Sequence, residues 1–295
     1  MNILLSGATG FIGQQVLLQD KMNYIRRCVV RSSSKNDLIC EKFVVEGINK
    51  NTSWNNAFNG IDVVIHLAGI AHNKSNSVDA IFEANTFGTL KLARDAVANG
   101  VKRFIFVSTA SINENKEFFS TQTQSKYDAE IGLKKIADET GLEVVIVRPT
   151  LVYGSNAPGN FGSLVRLVNK VPILPFGLVN NKRDFISVQN LADLLLFCAC
   201  HPKAVGHTFL ASDGKTVSIK DLTNSIAKGL NKRLIQLPVP VWCMRLVGAL
   251  FGKSAMVKQL VGNFEVDSSN AQEVLEWLPP YTMQQAMHSL LENNK

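Results

Sequence analysis

Three glycines, Gly7, Gly10 and Gly13, constrain this chain more than any other feature, because of what flanks them. Before them runs Ile3 to Leu5, short and apolar, and after them Phe11 to Lys21 reads as a helix. A strand that turns through spaced glycines into a helix has a mechanical meaning. Gly7 lets the chain turn tightly, Gly10 lets backbone approach a pyrophosphate, and Gly13 lets the helix pack on the strand. The first N–H groups of the helix, with Phe11 and Ile12 among them, then face the phosphate charge. The motif Ser6-Gly7-Ala8-Thr9-Gly10-Phe11-Ile12-Gly13 is therefore read as a dinucleotide cradle, with a ligand-free tight turn as the plain alternative.

The rhythm continues for half the chain. Arg27 to Val30, Phe43 to Val45, Ile61 to Leu67, Arg103 to Val107 and Glu143 to Val147 read as strands rich in Val and Ile. Between them Val78 to Asn99 and Ser125 to Thr140 carry helical periodicity. Strands apolar on both faces, alternating with helices, predict an α/β Rossmann fold: a doubly wound parallel sheet covered on both sides. The expected dinucleotide domain is 1–150, with 186–212 returning to it as strand and helix. Residues 151–295 are expected to form a smaller, mostly helical substrate lobe, looped over 151–185 and punctuated by prolines 238, 240, 279 and 280.

After the second strand comes Arg31-Ser32-Ser33-Ser34-Lys35. A site for NAD usually places a carboxylate there against the ribose 2′-hydroxyl, whereas a guanidinium and hydroxyls suit a 2′-phosphate. Arg31 and Ser32 thus favour NADP(H), with NAD(H) still allowed and a solvated basic turn as the alternative.

Further motifs follow in order: His66-Leu67-Ala68-Gly69, Asn85-Thr86-Phe87-Gly88-Thr89, Arg148-Pro149, Tyr153-Gly154, Arg183-Asp184-Phe185 and Trp277-Leu278-Pro279. With the glycine loop, these resemble the extended short-chain dehydrogenase/reductase family, the NAD(P)-dependent sugar epimerases and dehydratases. The nearest look is to reductases of UDP-4-keto-6-deoxy-N-acetylhexosamines, the quinovosamine type, which serve surface polysaccharide precursors. The resemblance implies a nicotinamide, a nucleotide-sugar substrate such as a UDP-sugar, and a Ser/Thr, Tyr, Lys catalytic set. It places Leu67 and Ala68 beside the cofactor, Thr109 as the catalytic hydroxyl, and Lys126 as the lysine that holds the ribose and acidifies the tyrosine. It also places Asn160 and Arg183 at the substrate diphosphate.

The tyrosine does not follow the pattern. One helical turn before Lys126 stands Gln122, and no tyrosine (24, 127, 153 or 281) has lysine four residues on. Tyr127 adjoins Lys126 and points about 100° away on a helix. An amide hydrogen-bonds a carbonyl but exchanges no useful proton. Loss of a general acid–base group typically costs about 10² to 10⁴ in rate. Ketone reduction tolerates that loss better than epimerisation, which needs proton transfer both ways, so a reductase is expected. The alternatives are a UDP-sugar 4-epimerase or dehydratase, and an NADP-binding sensor or scaffold without catalysis.

Several residues have plainer readings. Arg183 could pair with Asp184, Asn160 could be a turn residue, and His66 suits a satisfied core histidine. The five cysteines lack CxxC spacing, which argues against structural zinc and for reduced thiols in a cytoplasmic chain. A net charge of +7 without a clustered basic face argues against nucleic acid. No apolar run is long enough to span a membrane. Val239 to Phe251 is expected as a helix packed on the lobe, with a membrane surface or partner helix as the alternatives. A homodimer is compatible with all of this.

Overall fold

The computed structural model describes residues 1–32, 38, 40–71, 77–113 and 119–292. The chain divides into two compact units. The first comprises Met1–Thr150, Gln189–Ala211 and Ser268–Leu278, and the second comprises Leu151–Val188, Ser212–Asp267 and Pro279–Lys295.

The first unit is built on a seven-stranded sheet. Its strands are β1 (Ile3–Ser6), β2 (Ile25–Arg31), β3 (Glu41–Val45), β4 (Val63–His66), β5 (Arg103–Val107), β6 (Glu143–Pro149) and, after a long excursion of the chain, β10 (Thr208–Ala211). They lie in the order β10-β6-β5-β4-β1-β2-β3 with every pair parallel. The order reverses direction beside β1, which pairs with β2 on one side and β4 on the other. In a doubly wound sheet this switch point is where ligands bind, outside the carboxyl ends of the strands. Helices α1 (Phe11–Gln19), α2 (Val78–Phe82), α3 (Gly88–Ala98), α4 (Thr121–Thr140), α6 (Val188–Cys200) and α10 (Ser269–Leu275) complete this unit. Leu4, Val64, Phe104, Leu92, Ala96 and Leu133 are fully buried in one core between the sheet and its helices. Arg103 fastens α6 to the sheet by donating to the carbonyls of Cys198, Ala199 and His201 at the helix end.

Two helices differ from their sequence expectation. The segment 78–99 is interrupted by a π turn at Glu83–Phe87 between α2 and α3. A π turn adds one residue to a single turn, and no residue type in Glu83–Phe87 announces it. Helix α4 starts at Thr121, not Ser125, because the Ser120 hydroxyl accepts the Thr123 N–H and caps it.

The expectation of reduced thiols also fails at one place. Cys28 on β2 and Cys40 just before β3 form a disulfide, their Cα atoms 6.1 Å apart. The parallel register sets Cys28 against Lys42, which carries Cys40 alongside β2. Twelve residues of separation hide this proximity from any spacing rule. Cys198 is a buried free thiol at the end of α6, and no His, Cys, Asp or Glu group among the described residues could hold a metal ion. No helix among the described residues is long and apolar enough to cross a membrane.

The second unit holds two short parallel pairs, β7 (Leu151–Tyr153) with β9 (Phe185–Ser187) and β8 (Ile173–Leu174) with β11 (Ile235–Gln236). Around them lie α5 (Gly159–Lys170), α7 (Ile219–Gly229), α8 (Val241–Leu250), α9 (Ser254–Val261) and α11 (Met283–Glu292). Tyr153, expected as a family marker, is fully buried and donates its hydroxyl to Asp213 Oδ2 at 2.6 Å. The same carboxylate accepts the Ser187 N–H at 2.9 Å, which ties β7, β9 and the 212–214 turn together.

The packing of α1 on β1 yields a test. A Cβ on Gly13 would lie 2.2 Å from the Gly7 carbonyl oxygen and 2.7 Å from Ala8 Cα, both backbone atoms that cannot swing aside. Gly13→Ala should destabilise the chain by about 1–3 kcal/mol. Gly47→Ala, where a Cβ meets nothing within 4 Å, should change stability by about 0.5 kcal/mol or less. Urea denaturation of the two variants against wild type measures the difference.

Candidate active site

The glycine loop sits at the end of β1, at the switch point. Gly7 has φ +74°, and a Cβ there would lie 2.8 Å from the Ala68 nitrogen. Leu67 and Ala68, two of the sequence-predicted residues, are thus brought against the loop by the pairing of β1 with β4. Gly10 caps α1 with no side-chain hydrogen bond, and no acidic side chain lies in the first turn. The opening N–H groups around Phe11 and Ile12 therefore meet neither a side-chain acceptor at the cap nor a local negative charge. That is the environment a diphosphate requires, so the residues present fit a dinucleotide. Arg31 and Ser32 end β2 with exposed side chains, and the Ser32 N–H is held by Val45 O. Ser33, Ser34 and Lys35 lie outside the described residues.

Behind the loop runs a buried polar relay. Ser6 Oγ and His66 Nδ1 are 2.6 Å apart, and His66 Nε2 and Thr89 Oγ1 are 2.9 Å apart. The Thr89 hydroxyl donates to Asn85 O, so it accepts from His66, which carries its proton on Nε2 and accepts from Ser6 on Nδ1. Burial holds the imidazole down to about 3, and the nearby Lys126 charge pushes the same way. His66 is a neutral, satisfied core residue. Asn85, in the π turn, accepts the Ile70 N–H and donates to Ile70 O and to Ser125 Oγ. Ser125 donates in turn to the Gln122 carbonyl, and Thr86 donates to Ser125 O. The loop after β4 is thereby fastened to the first turns of α4.

Helix α4 delivers the candidate catalytic side chains. Lys126 Nζ donates to Val107 O at 3.0 Å and Ser108 O at 3.1 Å, the carbonyls where β5 ends. Part of Lys126 is exposed, but its ammonium is packed in, and burial draws its pKa down to about 8 while the Glu130 charge works in the opposite sense. Glu130 is itself buried and held in a fork by Arg148, at 2.9 and 2.6 Å. Gln122, Lys126 and Glu130 are each four residues apart and share one helix face. Gln122 is half-buried in the first turn of α4, on the face of Lys126. Thr109 is the second residue past β5, and its Oγ1 accepts the Ser111 N–H at 3.3 Å. Thr109 and Lys126 thus converge on the end of one strand. Sequence reasoning passed over the neighbouring Ser108, whose hydroxyl is buried with no partner among the described residues. Tyr127 turns its ring edge to Phe119 and takes no place on the Lys126 face.

The substrate-side residues lie in the second unit. Asn160 is exposed in the first turn of α5, which Pro158 caps without a side-chain bond. The Asp184 carboxylate accepts the Thr216 hydroxyl and the Val266 N–H. The Arg183 Nη1 donates to Gln259 O at 2.7 Å and Gly262 O at 3.1 Å, at the end of α9. Its guanidinium lies 5.9 Å from both the Phe185 and Phe264 rings.

Comparison with known proteins agrees with this architecture. Residues 3–211 match the model of the NAD dependent epimerase/dehydratase family. A UDP-glucose 4-epimerase of Vibrio cholerae is 41% identical over 305 residues, covering 96% of this chain and 92% of that protein. The N-acetyl-alpha-D-glucosaminyl-diphospho-ditrans,octacis-undecaprenol 4-epimerase of Escherichia coli O157:H7 is 22% identical over 99% of this chain and 94% of its own. The crystal structure of UDP-N-acetylglucosamine 4-epimerase from Bacillus cereus superposes with a TM-score of 0.77 over 99% of both chains at 18% identity, which is likeness of fold.

His66 generates a pH prediction. An unfolded histidine takes up a proton near pH 6.5, whereas the folded chain resists until about 3. The stability from this site is complete above about 6.5 and is lost as pH falls toward 3, by about 5 kcal/mol over the whole span. Urea unfolding at about pH 7, 5.5 and 4.5 should therefore show a steeper loss in wild type than in His66→Gln. Equal slopes would show that His66 is not held neutral.

Proposed function

The chain belongs to the NAD dependent epimerase/dehydratase family, and from that premise we propose that it reduces a UDP-4-keto sugar, a step suited to surface polysaccharide precursors. When bound, the nicotinamide supplies the hydride. The residues of this chain supply orientation and a proton. The observation that carries this reading is the pairing on α4 of Gln122, which cannot exchange a proton, with Lys126, whose pKa of about 8 makes it a proton donor near neutrality. Two of the three ammonium donors go to the Val107 and Ser108 carbonyls, and the third serves the substrate oxygen. Thr109 shares that oxygen, and Gln122 orients the carbonyl through its amide. Gly7, Gly10, Phe11, Ile12, Gly13, Leu67 and Ala68 bind the cofactor. Asn160 and Arg183 recognise the UDP diphosphate, whose oxygens suit an amide and a guanidinium.

A second reading, UDP-sugar 4-epimerisation, is favoured by the likeness to the Vibrio cholerae protein along nearly the whole chain. It requires proton removal as well as delivery, and among these groups only Lys126 could serve both. A silent cofactor sensor fits less well, since it has no use for a buried lysine tuned toward neutral pH.

The readings separate in one assay. With a UDP-4-keto-6-deoxy-N-acetylhexosamine and reduced nicotinamide, the reductase consumes the nicotinamide absorbance stoichiometrically. With UDP-glucose, an epimerase forms UDP-galactose with no net change in that absorbance, which would displace the proposal. Reduction should decline as pH rises through about 8, where Lys126 loses its proton, and Lys126→Met should lower the rate by about 10² or more. Gln122→Tyr should raise turnover and flatten that decline, because a phenol beside an ammonium becomes an alternative proton donor.

We further propose NADP(H) over NAD(H). A charge-assisted contact from Arg31 to a 2′-phosphate is worth about 1.5–3 kcal/mol, so Arg31→Asp should cost about ten- to hundredfold in NADPH affinity. Calorimetric titration of both cofactors against both proteins tests this, and equal binding of NADH and NADPH to wild type would refute it.

A further inference from the structure

Between Asp221 and Glu265 the chain contains no acidic residue, yet it carries Lys228, Lys232, Arg233, Arg245, Lys253 and Lys258, all exposed. Within this stretch α8 and α9 form a helical hairpin. Gly248 lets them close, since a Cβ there would lie 2.6 Å from Val257 Cγ2, and the Lys253 N–H donates to Gly248 O at the turn. Contrary to the expectation of a helix packed on its lobe, only Gly248 of α8 is buried. Trp242, Leu246 and Leu250 recur every fourth residue and form one stripe, 67%, 55% and 76% exposed, which Phe251 extends at 74%. Met256 on α9 is exposed as well. A contiguous apolar stripe of this kind on a polar protein marks an interaction surface.

We propose that the α8–α9 hairpin is a monotopic membrane-binding surface, which lays the Trp242–Leu246–Leu250 stripe and Phe251 into an anionic lipid leaflet. Charge decides the occupant. The hairpin's own cations, Arg245, Lys253 and Lys258, are all exposed and the hairpin carries no carboxylate, which complements acidic headgroups. A second copy is the poorer partner, because a two-fold contact places the same acid-free surface against itself and opposes like charges. A tryptophan at the start of the stripe, followed by leucines and flanked by basic residues, is the pattern of helices that lie in the interface rather than cross it. The proposal rests on this surface alone and stands or falls independently of the sugar-nucleotide reading. Its root is firm, since the end of α9 is held by Arg183 through Gln259 O and Gly262 O.

The test uses the full chain with vesicles of phosphatidylcholine, with and without about 30% phosphatidylglycerol. Wild type should float with the anionic vesicles, at least about tenfold more tightly than with neutral ones, and less as salt is raised. Trp54 and Trp277 are buried, so a blue shift of tryptophan emission on vesicle addition reports Trp242, and Trp242→Phe should abolish it. Leu246→Glu/Leu250→Glu alters only exposed positions, so it should keep the wild-type melting temperature while losing vesicle binding about tenfold or more. Absence of both flotation and blue shift at low salt would overturn the proposal. So would a wild-type dimer in light scattering that the double variant converts to monomer without either protein binding vesicles, which would assign the stripe to a second copy.

Discussion

The contact on which the first unit depends is a place where no side chain fits. Gly7 turns with positive φ against the backbone of Leu67 and Ala68, and Gly13 sets α1 directly on the Gly7 carbonyl. Three backbone segments, from β1, α1 and the end of β4, meet there without an intervening Cβ. That closeness aims the first turn of α1 at the switch point and leaves its opening N–H groups to face a ligand. Hydrophobic burial of the sheet supplies the driving force, but burial is non-directional. The glycine contact gives a stable sheet an uncapped helix start at its switch point, the kind of place that suits an anion.

A chain of buried polar groups carries this geometry to the catalytic helix. It passes from Ser6 at the end of β1 through His66, Thr89 and Asn85 to Ser125 and the Gln122 carbonyl. Every member is paired, and the directions of donation fix the histidine tautomer. Satisfied networks of this kind specify a unique arrangement, whereas a half-satisfied one costs more than an apolar core. The π turn belongs to the same device. Its extra residue rotates Asn85 so that one amide clasps Ile70 on the loop and Ser125 on α4. The cofactor loop and the candidate proton donor thus belong to one hydrogen-bonded framework.

Much of this framework was legible in the residues, and the exceptions share a cause. Strands buried on both faces announce themselves as runs of Val and Ile, and glycines at fixed offsets announce a close backbone approach. Both signals are local. The Cys28–Cys40 link, the π turn and the partners of Arg183 depend on which distant segments become neighbours. Helix α4 begins four residues before its apolar periodicity does because the Ser120 hydroxyl caps it, a small polar signal that periodicity does not register. Helix α8 shows a different limit. An apolar stripe at helical spacing reads alike whether it faces a core, a partner or a bilayer; its exposure in the folded chain excludes the core, and the charges beside it bear on the rest.

The position of Arg148 bears on the proposed use of Lys126 as a proton donor. A lysine buried beside an unpaired glutamate one turn away would be held strongly charged, like an ordinary lysine or more so, and would give up its proton poorly. Glu130 occupies that position, but its two oxygens are taken by the Arg148 fork, so its pull on Lys126 is shared with a guanidinium. Burial then outweighs the glutamate and the lysine settles at about 8. Arg148 therefore has a structural duty and an electrostatic one, closing α4 onto β6 and holding the lysine within reach of neutral pH. Because these two residues lie a full turn beyond Lys126 and at the end of another strand, the tuning does not require residue 122 to be a tyrosine. In the proposed reduction, proton-donor strength and substrate orientation, which one tyrosine would combine, are divided between Lys126 and Gln122.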